Sequence, residues 1–334
     1  MFSNPFSPIF GGKPDVFFGR VKILNLFERA MIDVGSDDRA MFITGTRGSG
    51  KTALLEQLSI RANNNKRKVI DLGPENTISQ IIYALNEYDE LLVTVDEIQK
   101  VPIEDVSSLC NAFQMASRKG CDIMLAVAGL PYAYSSIIKH EGCTYLRRAT
   151  HEELGLFTWE EANDSFAGIF SKIKGLNVGA KVIEQFNQAC YGHPYIMQLI
   201  GYHLILYIND NITTMEHDVS NEEAQVAIDN ALFAYEQRAL KPLLDELPNS
   251  EKTYLIKMAE CLDSDRLADT SDIAKSLGQA QNRLSKTRAY LIDHGIIASP
   301  ERGKVMFCIP YLSDFVKKEE PLSNAITVAR QRRV

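Results

Sequence analysis

The sequence predicts an α/β protein in which a parallel sheet carries helices on both faces, followed by an all-helical region and a small carboxy-terminal module. Three observations support this fold class. Short apolar segments alternate with helical patterns between residues 41 and 128, and such alternation is typical of parallel strands joined by crossover helices. From residue 158 the pattern is helical only. From residue 250 three helical patterns precede two apolar segments that flank a turn.

The amino-terminal half contains the elements of the sheet. Residues 4–12 are too rich in Pro and Gly for a helix or a central strand, so we expect an extended segment. A first helix after Gly19 and Arg20 has an apolar face made of Ile23, Leu24, Phe27, Ala30 and Met31. The predicted elements that follow are a strand from Met41, a helix over 51–63, a strand over 68–72, a helix opened by a capping box at 77–80, a strand over 91–95, a helix over 103–117 and a strand over 122–128.

The helical region starts at a capping box formed by Thr158 and Glu161. Helices continue to about residue 207, and we interpret the polar stretch 209–221 as a linker. Ser220 and Glu223 form another capping box, which predicts a long helix toward residue 246.

The most specific motif is a glycine-rich loop directly after the first strand. It matches the P-loop pattern G-x-x-x-x-G-K-[ST] with Gly45, Thr46, Arg47, Gly48, Ser49, Gly50, Lys51 and Thr52. Successive N–H groups, a helix N-terminus and a lysine can hold the negative charges of a nucleoside triphosphate. We expect Lys51 to reach the β- and γ-phosphates and Thr52 to ligate Mg²⁺. A turn that only caps a helix is the alternative, but the strand before the loop and the leucines at helical spacing after it favour ATP binding.

A second motif agrees with the first. The apolar run 91–95 ends in Asp96 and Glu97, which is the form of a Walker B strand. Asp96 is predicted to hold the Mg²⁺ bound to Thr52, and Glu97 to orient and deprotonate the attacking water. A strand that simply reaches the surface is the alternative, but the spacing from the P-loop fits a succession of parallel strands.

These motifs divide the chain into five predicted segments. They are an extended segment 1–20 that borders the nucleotide site, a P-loop NTPase core over 21–157, a helical lid with a linker helix over 158–246, a winged-helix domain over 247–320 and a basic tail over 321–334.

Composition narrows the classes of protein that remain. Apolar residues make up 45% and charged residues 24% of the 334 residues, which is ordinary for a globular protein. No apolar run is long enough to span a membrane, and no secretory signal is recognised at the amino terminus, so we expect a cytoplasmic protein. The six cysteines are scattered, which favours reduced side chains over zinc or redox sites. The net charge of −7 argues against indiscriminate coating of nucleic acid.

The carboxy-terminal module has the outline of a winged helix. Helices are predicted over 251–261, 271–277 and 279–294, followed by strands over 296–299 and 305–309. Ala280, Leu284 and Leu291 are predicted to face inward. Five basic residues against two acidic ones between 279 and 304 make double-stranded DNA a candidate partner, through Arg283, Lys286, Arg288, Arg302 and Lys304. The alternative is a basic surface that binds a protein partner.

At these residues the chain resembles the AAA+ ATPases of the origin-recognition-like branch, which adjoins the STAND signalling ATPases. The resemblance covers nearly the whole chain and includes the P-loop, Asp96 with Glu97, and the winged helix. Weaker contributions come from Asn4-Pro5-Phe6, Phe18-Gly19-Arg20, Ala128-Gly129-Leu130-Pro131 and Gly192-His193-Pro194-Tyr195.

The resemblance implies roles for three further sites. Gly19 and Arg20 would border the adenine. The turn Gly192-His193-Pro194 would pack near the base and ribose, although a helix C-cap followed by proline explains that turn as well. Either Arg147 or Arg148 would sense the γ-phosphate, in the same chain or from a neighbouring subunit of a homo-oligomer. The alternative is a pair of surface arginines at a helix end without a role in the site.

The chain also departs from this family. The fourth strand ends in Ala128 and Gly129, where many AAA+ proteins have a polar residue that positions the attacking water, so slow hydrolysis is expected. Val21 and Lys22 replace acidic residues that are common after the Gly-Arg pair.

The sequence therefore predicts an ATP-binding and hydrolysing switch that requires Mg²⁺ and couples its nucleotide state to DNA binding. The alternative is a weakly hydrolysing signalling ATPase whose winged helix binds a protein partner. A small-molecule kinase fits poorly because the layout offers no evident acceptor pocket.

Overall fold

The computed structural model describes residues 1–9, 17, 19–72, 77–88 and 90–318. Residues 10–16 of the leading segment, Phe18 and the basic tail 321–334 lie outside this part of the chain. Contact density divides the molecule into two compact units, Met1–Ala231 and Leu232–Val334. The first unit contains both the predicted core and most of the predicted lid. These two units therefore do not test the division into five segments, which stays a prediction.

The first unit is built on a five-stranded parallel sheet. Its strands are β1 (Ala40–Gly45), β2 (Lys68–Leu72), β3 (Glu90–Val95), β4 (Asp122–Gly129) and β5 (Thr150–Leu154). Its helices are α1 (Val21–Ile32), α2 (Lys51–Asn64), α3 (Ile78–Glu87), α4 (Ile103–Arg118) and α5 (Pro131–Ile137). The strand order is β2-β3-β4-β1-β5, and every neighbouring pair is parallel. The predicted α/β class is therefore confirmed.

Alternating side chains bury both faces of this sheet. Along β1, Phe42 packs with α3, α4 and α5, whereas Met41 and Ile43 pack with α1 and α2. The same alternation runs along β4, where Leu125 and Met124 face opposite cores. Successive side chains of a strand point to opposite faces, so a strand buried on both faces reads as a continuous apolar run.

Parallel pairing places the carboxyl ends of the five strands at one edge of the sheet. The P-loop follows β1, and Asp96 and Glu97 follow β3. Because β4 lies between β1 and β3, its carboxyl end at Gly129 lies between those two motifs. Ligands of open α/β sheets bind at this edge.

The lid consists of helices apart from one small ribbon. Its elements are α6 (Trp159–Phe170), β6 (Leu176–Asn177), α7 (Ala180–Cys190), α8 (Pro194–Asn211), β7 (His217–Asp218) and α9 (Asn221–Tyr235). The capping boxes predicted at Thr158 and Ser220 are present. The predicted linker 209–221 is wrong in part, because α8 runs to Asn211 and β7 pairs in parallel with β6. Two-residue strands leave no periodic signal in a sequence.

The amino-terminal residues 1–9 lie along helix α8. Phe6 is 3% exposed, and its ring occupies the space where a Cβ on Gly201 would stand, 2.2 Å away. Asn209 accepts from the Phe2 N–H at 2.7 Å and donates to the Phe2 carbonyl at 3.0 Å. Of the segment predicted to border the nucleotide site, Arg20 contacts the P-loop through the Ser49 carbonyl, and Gly19 lies against the Phe157 ring.

The second unit contains the carboxy-terminal module. After a π-helical turn at Glu236–Leu240, its elements are α10 (Lys241–Glu246), α11 (Asn249–Glu260), β8 (Ala268–Asp269), α12 (Thr270–Ser276), α13 (Ser285–Asp293), β9 (Ile297–Ala298) and β10 (Lys304–Phe307), with a last helical stretch over 312–318. Strand β10 pairs antiparallel with both β9 and β8. Ala280, predicted to face inward, is exposed, because the third helix begins as a 3₁₀ turn at Gln281–Leu284. Leu284 and Leu291 are buried as predicted.

Candidate nucleotide site

The P-loop connects the end of β1 to the start of α2. Gly48 and Gly50 have φ values of 79° and 91°, in the left-handed region that glycine adopts without steric cost. At Gly45 the requirement is space, because a Cβ would lie 2.5 Å from the Ser49 Oγ and 3.1 Å from the Leu154 carbonyl. The loop therefore turns tightly, with Lys51 at the N-terminus of α2.

Lys51 lies beneath this loop and is 6% exposed. Its Nζ donates to the Gly45 and Thr46 carbonyls, both at 2.9 Å. Burial lowers the pKa of the ammonium group, while the nearby carboxylates of Glu97 and Asp96 act in the opposite direction. An ammonium group has three N–H donors. Two of these N–H groups donate to the loop carbonyls, so the third can donate to a phosphate oxygen.

Thr52 and Asp96 bring the P-loop helix and the end of β3 together. The Thr52 Oγ1 donates to the Asp96 Oδ2 at 2.5 Å. The other carboxylate oxygen, Oδ1, accepts from the Glu97 N–H at 2.8 Å, which fixes the orientation of Asp96. Hydroxyl and carboxylate oxygens suit Mg²⁺, which takes one or two protein ligands together with phosphate oxygens and waters. The two predicted metal ligands therefore lie in mutual contact.

Glu97 follows Asp96 in a left-handed backbone conformation, with φ 49° and ψ 45°. Such a conformation costs a non-glycine residue about 1–3 kcal/mol and is common at functional sites. The carboxylate Oε2 accepts from Gln99 Nε2 at 2.7 Å and lies 3.5 Å from Lys100 Nζ. Sequence reasoning identified Glu97 but not Gln99, since no general motif marks that position.

Arg20 reaches the P-loop from the residues before α1. One guanidinium nitrogen donates to the Gly155 carbonyl at 2.5 Å and to the Ser49 carbonyl at 3.4 Å. The guanidinium carbon lies 4.6 Å from the centre of the Phe157 ring, a cation–π distance. Burial lowers the pKa of Arg20. Arg20 thus links the P-loop to the segment that leads from β5 into the lid.

The turn at Gly192 and His193 brings the lid into contact with the residues that follow β5. The Phe157 N–H donates to the Gly192 carbonyl at 2.8 Å. Gly192 has a φ of 67°, and a Cβ there would lie 2.2 Å from the Phe157 carbonyl oxygen. Pro194 is the first residue of α8, a position where its missing N–H costs nothing.

His193 packs directly on the P-loop. It is 1% exposed, and a Cβ on Gly48 would lie 2.6 Å from its Cε1 atom. Burial lowers the pKa of His193 to about 4, and a hydrogen bond with the Arg47 main chain acts in the opposite direction. The imidazole is therefore neutral near pH 7. The resemblance implies that the turn Gly192-His193-Pro194 packs near the base and ribose, and this stays a prediction. In the structure the His193 ring lies against Gly48 of the P-loop.

Comparison with known proteins agrees with this architecture. The ORC2 protein of Aeropyrum pernix, solved as ADPNP-ADP complexes, matches with a TM-score of 0.65 at 13% identity, over 92% of this chain and 94% of that one. Its ADP form gives 0.54 at 14% identity, over 91% and 92%. Cdc6p of Pyrobaculum aerophilum gives 0.51 at 14% identity, over 94% and 96%.

The chain has the AAA+ fold of the ORC and Cdc6 proteins. Residues 237–316 match a family model described as a domain of unknown function, DUF8462. No curated protein matches the chain in sequence.

The two candidate sensor arginines of this AAA+ core lie away from the P-loop. Strand β5 pairs with β1 so that Thr150 is opposite Met41 and Leu154 is opposite Gly45. Arg147 and Arg148 precede β5 and are both exposed, so about 13 Å of strand separates them from the edge that carries the P-loop. Of the two alternatives left open by the sequence, this geometry disfavours sensing in the same chain.

The five candidate DNA contacts lie in the second unit. Arg283, Lys286 and Arg302 are exposed, whereas Arg288 is half-buried. The Lys304 Nζ lies 3.7 Å from the Asp263 Oδ2, so the carboxylate balances part of the lysine's charge within the module. The most available positive charges are therefore those of Arg283 in the 3₁₀ turn, Lys286 in the first turn of α13 and Arg302 in the turn before β10.

No helix among the described residues combines the length and the low polarity needed to cross a bilayer.

Proposed function

We propose that this protein is a magnesium-dependent ATP-binding and hydrolysing switch whose nucleotide state controls DNA binding through its carboxy-terminal winged helix. The contact between Thr52 and Asp96 carries this proposal, because it joins the P-loop helix to the strand end that bears Glu97. The residues present fit ATP with Mg²⁺. Such a substrate needs a lysine with an available N–H, a loop whose glycines adopt the left-handed backbone conformation, and two oxygen ligands in mutual contact. All three are present.

Each side chain then has a defined task. Lys51 and the P-loop N–H groups hold the phosphates, while Thr52 and Asp96 hold the metal. The chemistry that Mg²⁺ would supply when bound is the neutralisation of negative charge on the phosphates. Glu97 takes a proton from the attacking water, whose oxygen bonds to the γ-phosphorus as the bond to the bridging oxygen of ADP breaks.

The binding step is tested by calorimetry with ATP and Mg²⁺. Lys51→Ala is expected to abolish ATP uptake, because it removes the ammonium group from the phosphate site. Lys181→Ala, an exposed change on α7 with the same loss of charge, is the matched control and keeps wild-type affinity. Equal ATP uptake by the wild-type protein and by Lys51→Ala would contradict the proposed site.

The hydrolysis step is tested by phosphate release. Glu97→Gln is expected to bind ATP but to stop turnover, because an amide cannot accept the proton. Turnover that survives this substitution would show that another group is the base.

Coupling to DNA is tested in the carboxy-terminal module. Arg283→Ala combined with Lys286→Ala is expected to weaken duplex binding and to lower the slope of log affinity against log salt by about 2, since two phosphate contacts are lost. Lys252→Ala combined with Lys257→Ala on α11 removes the same charge and is expected to leave that slope unchanged. Duplex DNA should also stimulate phosphate release. Indifference to DNA together with a basal rate near zero would favour the signalling ATPase with a protein partner.

Arg147 or Arg148 is proposed to sense the γ-phosphate of ATP bound to a neighbouring subunit. Light scattering with ATP, ADP and no nucleotide measures whether a homo-oligomer forms. A protein that is monomeric in all three conditions but hydrolyses ATP would exclude this role.

A further inference from the structure

One side chain links the candidate base to the end of β4. Gln99 lies two residues after Glu97, in the 3₁₀ turn Ile98–Lys100, and is half-buried. Its Nε2 donates to the Glu97 Oε2 at 2.7 Å. Its Oε1 accepts from the Leu130 N–H, which follows β4, at 3.2 Å. A single amide group therefore spans the two strand ends.

The orientation of this amide is determined by both partners. A backbone N–H can only donate, so the Leu130 contact requires the amide oxygen. A carboxylate can only accept, so the Glu97 contact requires the amide nitrogen. A flipped amide would turn both contacts into repulsions. Nε2 carries a second N–H in addition to the one given to Glu97.

The Gln99 amide also occupies the space where a side chain at position 129 would lie. A Cβ on Gly129 would lie 2.8 Å from the Gln99 Oε1 and 2.9 Å from the Ile98 Cγ2. Gly129 is not among the residues with a positive φ, so what the position requires is the absence of a side chain. Because β4 lies between β1 and β3, this space lies between the P-loop and Glu97.

We propose that Gln99 is a positioning residue for ATP hydrolysis that replaces, from the loop after β3, the polar side chain that β4 lacks at its carboxyl end. One N–H holds the Oε2 of Glu97 and thereby orients the carboxylate. The second N–H holds the oxygen of the attacking water. This inference rests on the proposed function, and it explains how a strand ending in Ala128 and Gly129 can still support turnover.

The test compares Gln99→Ala and Gln99→Glu with the wild-type protein, using ATP and Mg²⁺ on the full chain. Both substitutions are expected to lower kcat by about tenfold or more, because the carboxylate and the water lose their alignment. KM and the calorimetric affinity for ATP should stay within about twofold, since no phosphate contact changes. Gln188→Ala, an exposed change on α7, is the matched control.

Gln99→Glu adds a readout that a purely structural role would not move. It keeps an acceptor for Leu130 but places a second carboxylate against Glu97. Two adjacent carboxylates share a proton, which raises the pKa at which the pair becomes charged. The acidic limb of the kcat profile should therefore shift to higher pH.

Gly129→Ser provides a reciprocal test. In the wild-type background the new Cβ collides with the Gln99 amide, so kcat should fall. In the Gln99→Ala background the same substitution supplies a hydroxyl in the vacated space, so kcat should rise. The new Cβ also crowds Ile98 in both backgrounds. Melting temperatures measure this shared loss of stability, which can then be separated from the opposite changes in kcat.

The outcomes are distinguishable. An unchanged kcat in Gln99→Ala overturns the role of Gln99 alone, and so does a rise in kcat, which would show that Gln99 restrains Glu97. A higher KM with unchanged kcat also overturns it. A wild-type protein without turnover, or one whose turnover survives Glu97→Gln, overturns the proposed function itself before any Gln99 variant is compared.

Discussion

Replacement of His193 by glutamine is expected to remove a pH-dependent part of the stability of the first unit. In the folded, nucleotide-free protein the pKa of His193 is lowered to about 4 because the ring is buried against the P-loop. In the unfolded chain the ordinary value of about 6.5 applies. As the pH falls below 6.5 the unfolded chain takes up a proton that the folded protein does not, and this uptake favours unfolding.

The sign and size of the effect follow from these two values. The stabilising contribution is fully present above about pH 6.5 and is lost as the pH falls toward 4. Between pH 7.5 and pH 5 the loss is about 2 kcal/mol, and it reaches about 3 kcal/mol at pH 4. Burial also lowers the pKa of His151, and contacts with Ser220 and His217 lower the pKa of Glu223. Both groups are present in the variant, so their contributions cancel in the difference between the two proteins.

The assay is urea unfolding followed by tryptophan fluorescence at several pH values. Trp159 is the single tryptophan of the chain and belongs to the same compact unit as His193. Its carbonyl accepts from the Asn187 side chain on α7, which ties Trp159 to the lid. His140→Gln, at an exposed histidine, is the control and should retain the wild-type dependence. Parallel curves for the wild-type protein and His193→Gln from pH 7.5 to pH 5 would refute the reasoning.

Two further substitutions test the packing that holds the site. Gly192→Ala is expected to lower the free energy of unfolding by about 2 kcal/mol or more, since alanine resists the left-handed conformation and its Cβ collides with a carbonyl. Gly179→Ala, with an ordinary φ and open space around its Cβ, should change the same measurement little. Asp122→Ala is expected to cost about 3 kcal/mol in urea unfolding, because the buried guanidinium groups of Arg39 and Arg67 both lose their carboxylate. A loss below about 1 kcal/mol would show that water replaces the carboxylate there.

Much of the fold could be predicted because its signals are local. The capping boxes at Thr77, Thr158 and Ser220 each involve residues three positions apart, and all three are present. Strands β1, β3 and β4 of the large sheet are buried on both faces, so each gives a nearly continuous apolar run in the sequence. The edge strands β2 and β5 are partly exposed and give a weaker signal. The P-loop and the pair Asp96 and Glu97 are fixed patterns of residue type and spacing.

Other features depend on partners that are distant in the sequence. Strands β6, β7 and β8 have two residues each and exist because a partner strand or bridge supplies their hydrogen bonds. The burial of Phe6 requires Gly201, 195 positions later, to leave space for its ring. The placement of the candidate sensor arginines follows from the register of β5 against β1, which no pattern within β5 specifies.

The sequence by itself determined the class of fold and predicted the ligand class of the site, since residue types at fixed short spacings specify helix caps, buried strands and the P-loop pattern. Only the tertiary structure decided that His193 rests on the P-loop and that Gln99 fills the space beside Gly129. Both contacts join segments brought together by the order of strands in the sheet and by the packing of the lid. The energy of such contacts comes from burial and hydrogen bonding between distant residues, which no local pattern encodes.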